Sequence, residues 1–244
     1  MRFTFVLSFA LAFTLQSYAW DLSVGTGFFA EQSPYSDVGW KYTPMPVIQF
    51  DSEYVFFDVQ TAGFYLYKGD HSALLLLADY EPMAYDPDDA NKAAMKAIDK
   101  RRPTLFGGLR YTLWGRYGIV RLEGTGDLLG RTDGFRAKAS YGLHFSPAGI
   151  DILPEIGVLW HSDEFNDYYF GVSNAESLAS GFDAYDGSYS FTPYLGLSAQ
   201  YAFFNRVKLL LSASYKLTPD KVTDSPIVKK KQVLNVLAGI SYIF

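Results

Sequence analysis

The sequence predicts a transmembrane antiparallel β-barrel of about twelve strands, and three observations support this fold class. Segments of about 9–14 residues alternate apolar and polar side chains, whereas strands of globular sheets usually have five or six residues. Aromatic residues recur near the ends of the apolar faces, where the membrane interface favours them. The opposite faces carry small and charged residues, which suits a crowded lumen.

Composition narrows the possible functions. The chain has 244 residues, enough for one large β domain or two smaller ones. It contains no cysteine, so disulfide bonds, thiolate metal sites and a cysteine nucleophile are excluded. Aromatic residues make up 18% of the chain and charged residues 19%, with a formal net charge of −5. Because there is no basic excess, we predict no nucleic-acid partner.

The first nineteen residues have the layout of a secretory signal peptide. A single arginine precedes an apolar run of about 13 residues, and small residues follow up to Ala19. That run is short for a membrane-spanning helix, which needs about 20 residues. We therefore expect residues 1–19 to be a cleaved signal peptide and residues 20–244 to form an outer-membrane β-barrel.

The alternation is clearest in the second half of the chain. Residues 189–204 and 207–217 alternate with period two and are separated by a short turn. A β-sandwich would also satisfy this pattern by turning the apolar faces inward, but the strand lengths favour a barrel. The segment LNVLAGISYIF at 234–244 alternates in the same way. We expect it to pair with the first strand near residues 21–29, since closure removes both sheet edges.

The strand count from the alternation is odd. The eleven candidates are residues 20–30, 41–50, 53–67, 72–81, 103–114, 116–128, 133–146, 150–161, 189–204, 206–218 and 232–244. A bacterial barrel has an even number, so we predict a twelfth strand at 167–173. Ten strands are the alternative, because the 41–67 region contains Pro44, Pro46 and Gly63.

One segment departs from the β pattern. Residues 85–103 contain an alanine-rich stretch that follows Pro87 and acidic residues and ends in cations and Pro103. Such flanks are typical of a helix, so we predict one short helical insertion near 88–101. Met95 and Ile98 would form its apolar stripe.

Charged side chains of both signs lie on the predicted lumenal faces. They are Arg110, Arg121, Glu123, Asp127, Arg136, Lys138, Asp151, Glu155, Lys208 and Lys216. One interpretation is a pore lining that selects solutes. The favoured interpretation is a packed, ion-paired lumen, because opposite charges on adjacent strands can pair and a barrel of this size is narrow.

A lipid hydrolase is a third hypothesis. His144 and His161 fall on polar faces of neighbouring candidate strands, and nearby hydroxyls and carboxylates are Ser140, Ser162, Asp163 and Glu164. No motif spacing supports catalysis. We therefore predict that the protein is not an enzyme and has no catalytic, cofactor-binding or metal-binding residues.

Two charged loop segments have simple interpretations. The carboxylates of residues 162–188 are Asp163, Glu164, Asp167, Asp183 and Asp186, and they lack the spacing of a calcium loop. We interpret them as a solvated loop. The basic cluster IVKKK at 227–231 either lies near anionic head groups or forms a polar loop edge.

Several stretches, taken in order, resemble the MipA/OmpV family of Gram-negative outer-membrane proteins. They are SPYSDVGWKYTPMPVIQF at 33–50, DYYFGVSNAES at 167–177, YSFTPYLGLSAQYAF at 189–203, DSPIV at 224–228 and the C-terminal aromatic strand. The 85–103 segment resembles the family only loosely.

The resemblance implies an outer-membrane location and contact with membrane lipid. It also implies a scaffold or adaptor role in peptidoglycan metabolism, because the family's namesake links a lytic transglycosylase to a penicillin-binding peptidoglycan synthase. A small-solute outer-membrane channel is the alternative. The family has no established catalytic residues, so the resemblance transfers none.

Overall fold

The protein is a closed barrel of twelve antiparallel strands in a computed structural model that describes residues 21–244. Each strand pairs with its neighbours in sequence, and the last strand closes on the first, with Ser23 opposite Ile243 and Glu31 opposite Asn235. The predicted fold class, even strand number and closure are thus confirmed. The predicted signal peptide, residues 1–19, lies outside the described residues.

The strands are β1 Asp21–Gln32, β2 Trp40–Asp51, β3 Val55–Asp58, β4 Thr61–Lys68, β5 Ser72–Glu81, β6 Thr104–Gly115, β7 Gly118–Asp127, β8 Phe135–Gly142, β9 Ile150–His161, β10 Ser190–Phe203, β11 Val207–Leu217 and β12 Gln232–Ile243. The α-helices are α1 Ala93–Lys96, α2 Asp163–Phe170, α3 Asn174–Ser180 and α4 Asp220–Thr223. Single 3₁₀ turns cover Pro87–Asp89 and Pro147–Gly149. None of the helices in residues 21–244 is long and apolar enough to cross a membrane.

The prediction of a strand at 167–173 was wrong, because helix α2 occupies most of this segment. Ser162 accepts a hydrogen bond from the backbone N–H of Phe165 and caps the helix. Asp163 and Glu164 follow in the first turn, where carboxylates favour a helix start. These start signals outweigh the β-propensity of the aromatic residues.

The twelfth strand comes instead from the candidate 53–67, which is two strands. The chain reverses at Val59, whose φ of 53° lies in the left-handed region, so that β3 and β4 form a tight hairpin. A β-branched residue is rare in that conformation, so the sequence around Val59 did not indicate a turn.

The outer wall is apolar, as the alternation predicted. Phe191, Leu195 and Leu197 are at least half exposed on the outside of β10. Aromatic pairs lie towards both ends of the wall: Trp40 with Tyr42, Tyr189 with Phe191, Tyr201 with Phe203 and Tyr242 with Phe244. This arrangement is typical of a lipid-facing belt with interfacial aromatic girdles.

The two ends of the barrel differ. On the turn side, the connections 52–54, 69–71, 116–117, 143–149 and 204–206 are short. On the loop side, the connections 33–39 and 128–134 have seven residues each, and the much longer connections 82–103, 162–189 and 218–231 carry the four α-helices of the described chain. Bacterial barrels place short turns in the periplasm and long loops outside the cell, and this rule predicts that the turn side of this barrel faces the periplasm.

The long loops pack into a hydrophobic cluster of their own, which we call the loop cap. Its buried residues include Tyr35, Tyr85, Met95, Ile98, Tyr169 and Ile227. The predicted helix near 88–101 shortens to one 3₁₀ turn and the single-turn α1, although Met95 and Ile98 are buried as expected. Paired backbone hydrogen bonds between Tyr85 and Arg101 hold the ends of this loop together and limit the helix length.

Where β1 pairs with β12, two lumenal positions of β1 are glycines and carry no side chain. We call this part of the wall the glycine seam. A Cβ atom at Gly25 would lie 1.9 Å from the backbone oxygen of Ile240, and one at Gly27 would lie 2.6 Å from that of Ala238. Any side chain there would have to displace partner backbone. The closing contact of the barrel therefore requires glycine at both positions.

Candidate functional site

The lumen is divided into two cavities. The loop-side cavity has a volume of about 370 Å³ and the turn-side cavity about 380 Å³. The Arg110 side chain lines both cavities. The barrier between them is therefore built from charged side chains of β6, β7, β8 and β9.

Ion pairs across these strands form the barrier. Nε of Arg110 lies 2.7 Å from Oε2 of Glu123 on the neighbouring strand. On β9, Glu155 pairs with Arg121 and also with Lys138, whose Nζ is 3.3 Å from Oε1. These contacts agree with the interpretation of an ion-paired lumen.

Arg136 forms the most extensive lumenal contact. Its guanidinium donates to Asp79 and to Glu81, each at 2.9 Å, and stacks over the ring of Phe106 at 3.9 Å. Its side chain is only 10% exposed. Buried charges persist only when paired and hydrogen-bonded, so both carboxylates are needed.

Three further residues of this network were not predicted from the sequence. Tyr194 donates its hydroxyl hydrogen bond to Glu155. Asp79 and Glu81 end β5 at alternate positions after an apolar run, and that alternation was the available signal.

Two of the predicted lumenal charges, Asp127 and Asp151, lie elsewhere, whereas Lys208 and Lys216 line the cavities as expected. Asp127 ends β7 and accepts hydrogen bonds from Thr104 and from backbone N–H groups of the following loop. Asp151 is exposed on the turn side. Lys208 donates to Gln49 at 3.2 Å in the turn-side cavity.

The histidines are not brought together. His144 lies in the β8–β9 turn, 3.2 Å from Asp151, whereas His161 ends β9 on the loop side. Ten strand residues separate Asp151 from His161, which is about 33 Å at the usual rise. One catalytic site cannot contain both histidines.

Ser146 completes a small polar group with His144 and Asp151, but its geometry does not suit catalysis. The Ser146 hydroxyl donates directly to Asp151 at 2.5 Å, and both residues face the same Nε2 atom of His144. A triad needs the histidine between the serine and the carboxylate, with one ring nitrogen for each.

The acidic loop residues serve local structure. Asp163 accepts from the backbone N–H of Tyr189, and Asp167 accepts from that of Gly187 at 2.8 Å. Across residues 21–244 there is no group of three or more histidine or carboxylate side chains that could hold a metal ion.

Glu176 joins two loops of the cap. Its Oε1 accepts from the Asp99 backbone N–H at 2.9 Å and from Arg101 at 2.7 Å. Its Oε2 accepts from the backbone N–H and the hydroxyl of Ser173, which completes a capping box at α3. Burial alone would raise the pKa of Glu176, but these donors hold it below its ordinary value of 4.5.

A second set of contacts joins the 33–39 loop to two other loops of the cap. Asp37 accepts from the backbone N–H groups of Lys92 and Asn91, each at 2.7 Å, and these bonds lower its pKa. Tyr35 donates its hydroxyl hydrogen bond to the backbone oxygen of Tyr169 at 2.9 Å. The cap is therefore one connected structure above the loop-side cavity.

The sequence of this barrel matches one protein-family model over most of its length. The model described as MltA-interacting protein MipA matches residues 24–244, nearly the whole described chain. This chain belongs to the MipA family. The family resemblance seen in the sequence is thereby confirmed.

Named relatives of this MipA-family chain agree on its location. It is 33% identical over 222 residues to the "MltA-interacting protein" of Escherichia coli (strain K12), covering 91% of this chain and 90% of that one. It is 30% identical over 239 residues to the "Putative outer membrane protein YiaT" of the same strain, covering 98% and 97%. Outer membrane protein OmpV of Vibrio cholerae is 29% identical and covers 74% of this chain and 70% of its own length. The protein is an outer-membrane barrel of a Gram-negative bacterium.

Proposed function

We propose that this protein is a non-enzymatic adaptor that brings a lytic transglycosylase and a penicillin-binding peptidoglycan synthase together at the outer membrane. The observation that carries the proposal is the relative named for its interaction with MltA, which is similar along nine-tenths of both chains. The ion-paired barrier and the loop cap support it, because a scaffold needs a rigid barrel and no open passage.

The turn side is the surface proposed for the partners, because it faces the periplasm, where peptidoglycan lies. The turn 204–206 presents Phe204 with 96% of its surface exposed, and Tyr117 is 71% exposed in the turn 116–117. Phe204 and Asn205 both have positive φ values, as in the tight turns that join two antiparallel strands. Exposed aromatic side chains of this kind are common anchors of protein interfaces.

Phe204→Ala is expected to reduce recovery of murein enzymes with the barrel. The substitution removes the most exposed aromatic side chain of the turn side. The measurement is quantitative mass spectrometry of complexes purified from cross-linked envelopes. Leu178→Ala is the matched control, because Leu178 is 90% exposed on the opposite, loop side.

The two variants separate specific from unspecific effects. The control should recover murein enzymes as well as the natural chain does. The adaptor proposal is wrong if the natural chain enriches no murein enzyme over an unrelated barrel. If Phe204→Ala and the control behave alike, the partner surface is not at this turn.

A small-solute channel is the second candidate function. The observation that favours it is the pair of cavities that meet at Arg110. Only side chains, with no helix or inserted loop, separate them at that point. A solute path would therefore open through movement of the ion pairs.

The double variant Arg110→Ala with Glu123→Ala should raise single-channel conductance in planar bilayers. It removes both partners of the barrier pair, so that neither Arg110 nor Glu123 is left as an unpaired charge. Arg116→Ala, which alters an exposed turn residue stacked on Tyr117, is the control and should leave conductance unchanged. A silent double variant would remove the channel from consideration.

A further inference from the structure

The barrel wall has an incomplete region beside β2. Strand β3 has four residues, and β2 pairs with it only through Gln49–Asp51. The last contact of the β3–β4 turn with β2 is the hydrogen bond from Val59 N–H to the oxygen of Ile48 at 2.9 Å. On this side, residues 40–47 of β2 pair with no other strand of the described chain.

The sequence of β2 fits an unpaired edge. Backbone groups alternate in direction along a strand, and because Ile48 points its oxygen towards β3, Pro46 and Pro44 point their nitrogens the same way. Proline has no N–H, so two of the positions facing the gap carry no donor to be left unsatisfied in lipid. The unusual prolines of this strand are thus explained by the missing neighbour.

The gap has a defined frame, and we call it the wall window. Its lower rim is the β3–β4 turn, where Gln60 accepts from the Tyr80 N–H at 3.0 Å. Its upper limit is Lys41, which donates to the Ala84 oxygen at 3.2 Å. At the level of the hairpin, β3 and β4 separate β2 from β5, so the two sides stand about 14 Å apart. Thr43 is exposed although its position on β2 faces inward, as expected beside an opening.

The loop-side cavity reaches this window. Gln60, Glu81 and Met83, which come from the lower rim and the far side of the window, line the cavity. Its volume of about 370 Å³ is within the range of small-molecule sites. Apolar side chains in its lining include Phe29 and Leu159.

Three residues of the cavity lining each carry a buried polar atom without a partner among the described residues. Asn166 is 1% exposed and uses its amide nitrogen for Ser188 and Ser190, while its Oδ1 atom has no partner in the described chain. Oδ1 of Asn235 and Nε of Arg136 are likewise unsatisfied among the described residues. Such atoms are costly when left alone, so we expect a ligand in the cavity to supply partners for these two acceptors and one donor.

The remaining charges of the cavity balance. Glu31 and Lys216 both line it, and neither forms an ion pair among the described residues. One carboxylate and one ammonium give no preference for a ligand of either charge. A neutral head that both donates and accepts hydrogen bonds suits this site, and hydroxyl groups do both.

We propose that the loop-side cavity binds a single-chain amphiphile with a neutral, hydroxyl-bearing head, which enters from the outer leaflet through the wall window. The hydroxyls donate to Asn166 and Asn235 and accept from Arg136. The chain lies along the apolar lining and the window. This site is independent of the proposed partner surface at the opposite end of the barrel.

Photo-labelling of the full barrel in phosphatidylcholine vesicles tests the proposal. The probe is a monododecanoylglycerol that carries a diazirine in its acyl chain, and labelled residues are mapped by mass spectrometry. The expected result is labelling of cavity residues such as Met83 in addition to the lipid-facing wall. Unlabelled monododecanoylglycerol should compete for the cavity label, whereas dodecanoic acid, with a charged head, should compete less.

Three tryptophan variants decide between the possible outcomes. Leu159→Trp fills the cavity and should abolish cavity labelling. Gln60→Trp narrows the window and should lower the rate of cavity labelling. Leu197→Trp, on the lipid-facing wall, should change neither the extent nor the rate of cavity labelling. Label confined to the outer wall, or cavity label that persists in Leu159→Trp, overturns the site. An unchanged labelling rate in Gln60→Trp overturns entry through the window.

Discussion

Replacing Arg136 with alanine is expected to lower the free energy of unfolding of the barrel by about 3–5 kcal/mol, the usual cost of removing one partner from a buried ion pair. The guanidinium is 10% exposed and holds both Asp79 and Glu81. Without it, two carboxylates face each other in the lumen with no cation in contact. The loss of stacking on Phe106 adds to the cost.

The measurement is the urea midpoint of the purified barrel, followed by its gel mobility before and after heating. Lys68→Ala is the control, because that ion pair with Asp51 is half-exposed on the turn side and should contribute less than about 1 kcal/mol. Combining Arg136→Met with Asp79→Asn and Glu81→Gln should restore much of the stability, since no uncompensated charge remains. A single variant as stable as the control would show that the lumenal ion pair does not hold the wall together.

Replacing Glu176 with alanine is expected to open the loop cap while the barrel stays closed. The side chain is 5% exposed and receives hydrogen bonds from Ser173, Asp99 and Arg101. Its loss leaves these donors unpaired, and each unpaired buried donor lowers the stability of the cap by about 1–3 kcal/mol. Trypsin should then cut at Lys100 or Arg101 on intact cells, where the natural chain resists. Glu164→Ala, an exposed carboxylate of α2, is the control and should remain resistant.

The same residue gives the cap a dependence on pH. Because the pKa of Glu176 in the folded protein is below its ordinary value of 4.5, its ionised form stabilises the cap at any pH above that value. The stabilisation is lost as the pH falls through the lowered pKa. Trypsin cannot be used in acid, so pepsin cleavage of the loops is the readout. Glu176→Gln should reduce this pH dependence and leave the part that Asp37 contributes, and a natural cap that opens on raising the pH would contradict the assignment.

The barrel wall was predictable because its signal is local. Alternation with period two along residues 189–204 and 207–217 follows from the contrast between lipid and lumen, and each strand carries it independently. Pairing of the last strand with the first followed from the cost of a free edge in the membrane. The ion-paired lumen could also be expected, since Arg110, Arg121 and Glu155 lie on polar faces.

The loop cap and the window were not predictable in this way. Helix α2 begins at a serine cap, but four of its eight residues are aromatic and favour strands, and its core partners come from loops far away in sequence. Glu176 gains its role from Asp99 and Arg101, more than 70 residues earlier. The prolines of β2 were noticed as an irregularity in the sequence. Their structural role could not be predicted, because it depends on β3 being too short to pair with that part of β2.

The glycine seam between β1 and β12 makes closure an all-or-none event. A side chain at Gly25 or Gly27 would leave most of the sheet unaffected and would even suit an isolated strand better than glycine does. The damage falls mainly on the final joining step, because the β12 backbone already occupies that space, with a smaller clash between Gly27 and Val47 of β2. Such a chain would accumulate as an open sheet with two free edges, a substrate for envelope proteases, instead of as a weakened barrel. The two glycines therefore govern how much protein reaches the membrane more than how stable it is there.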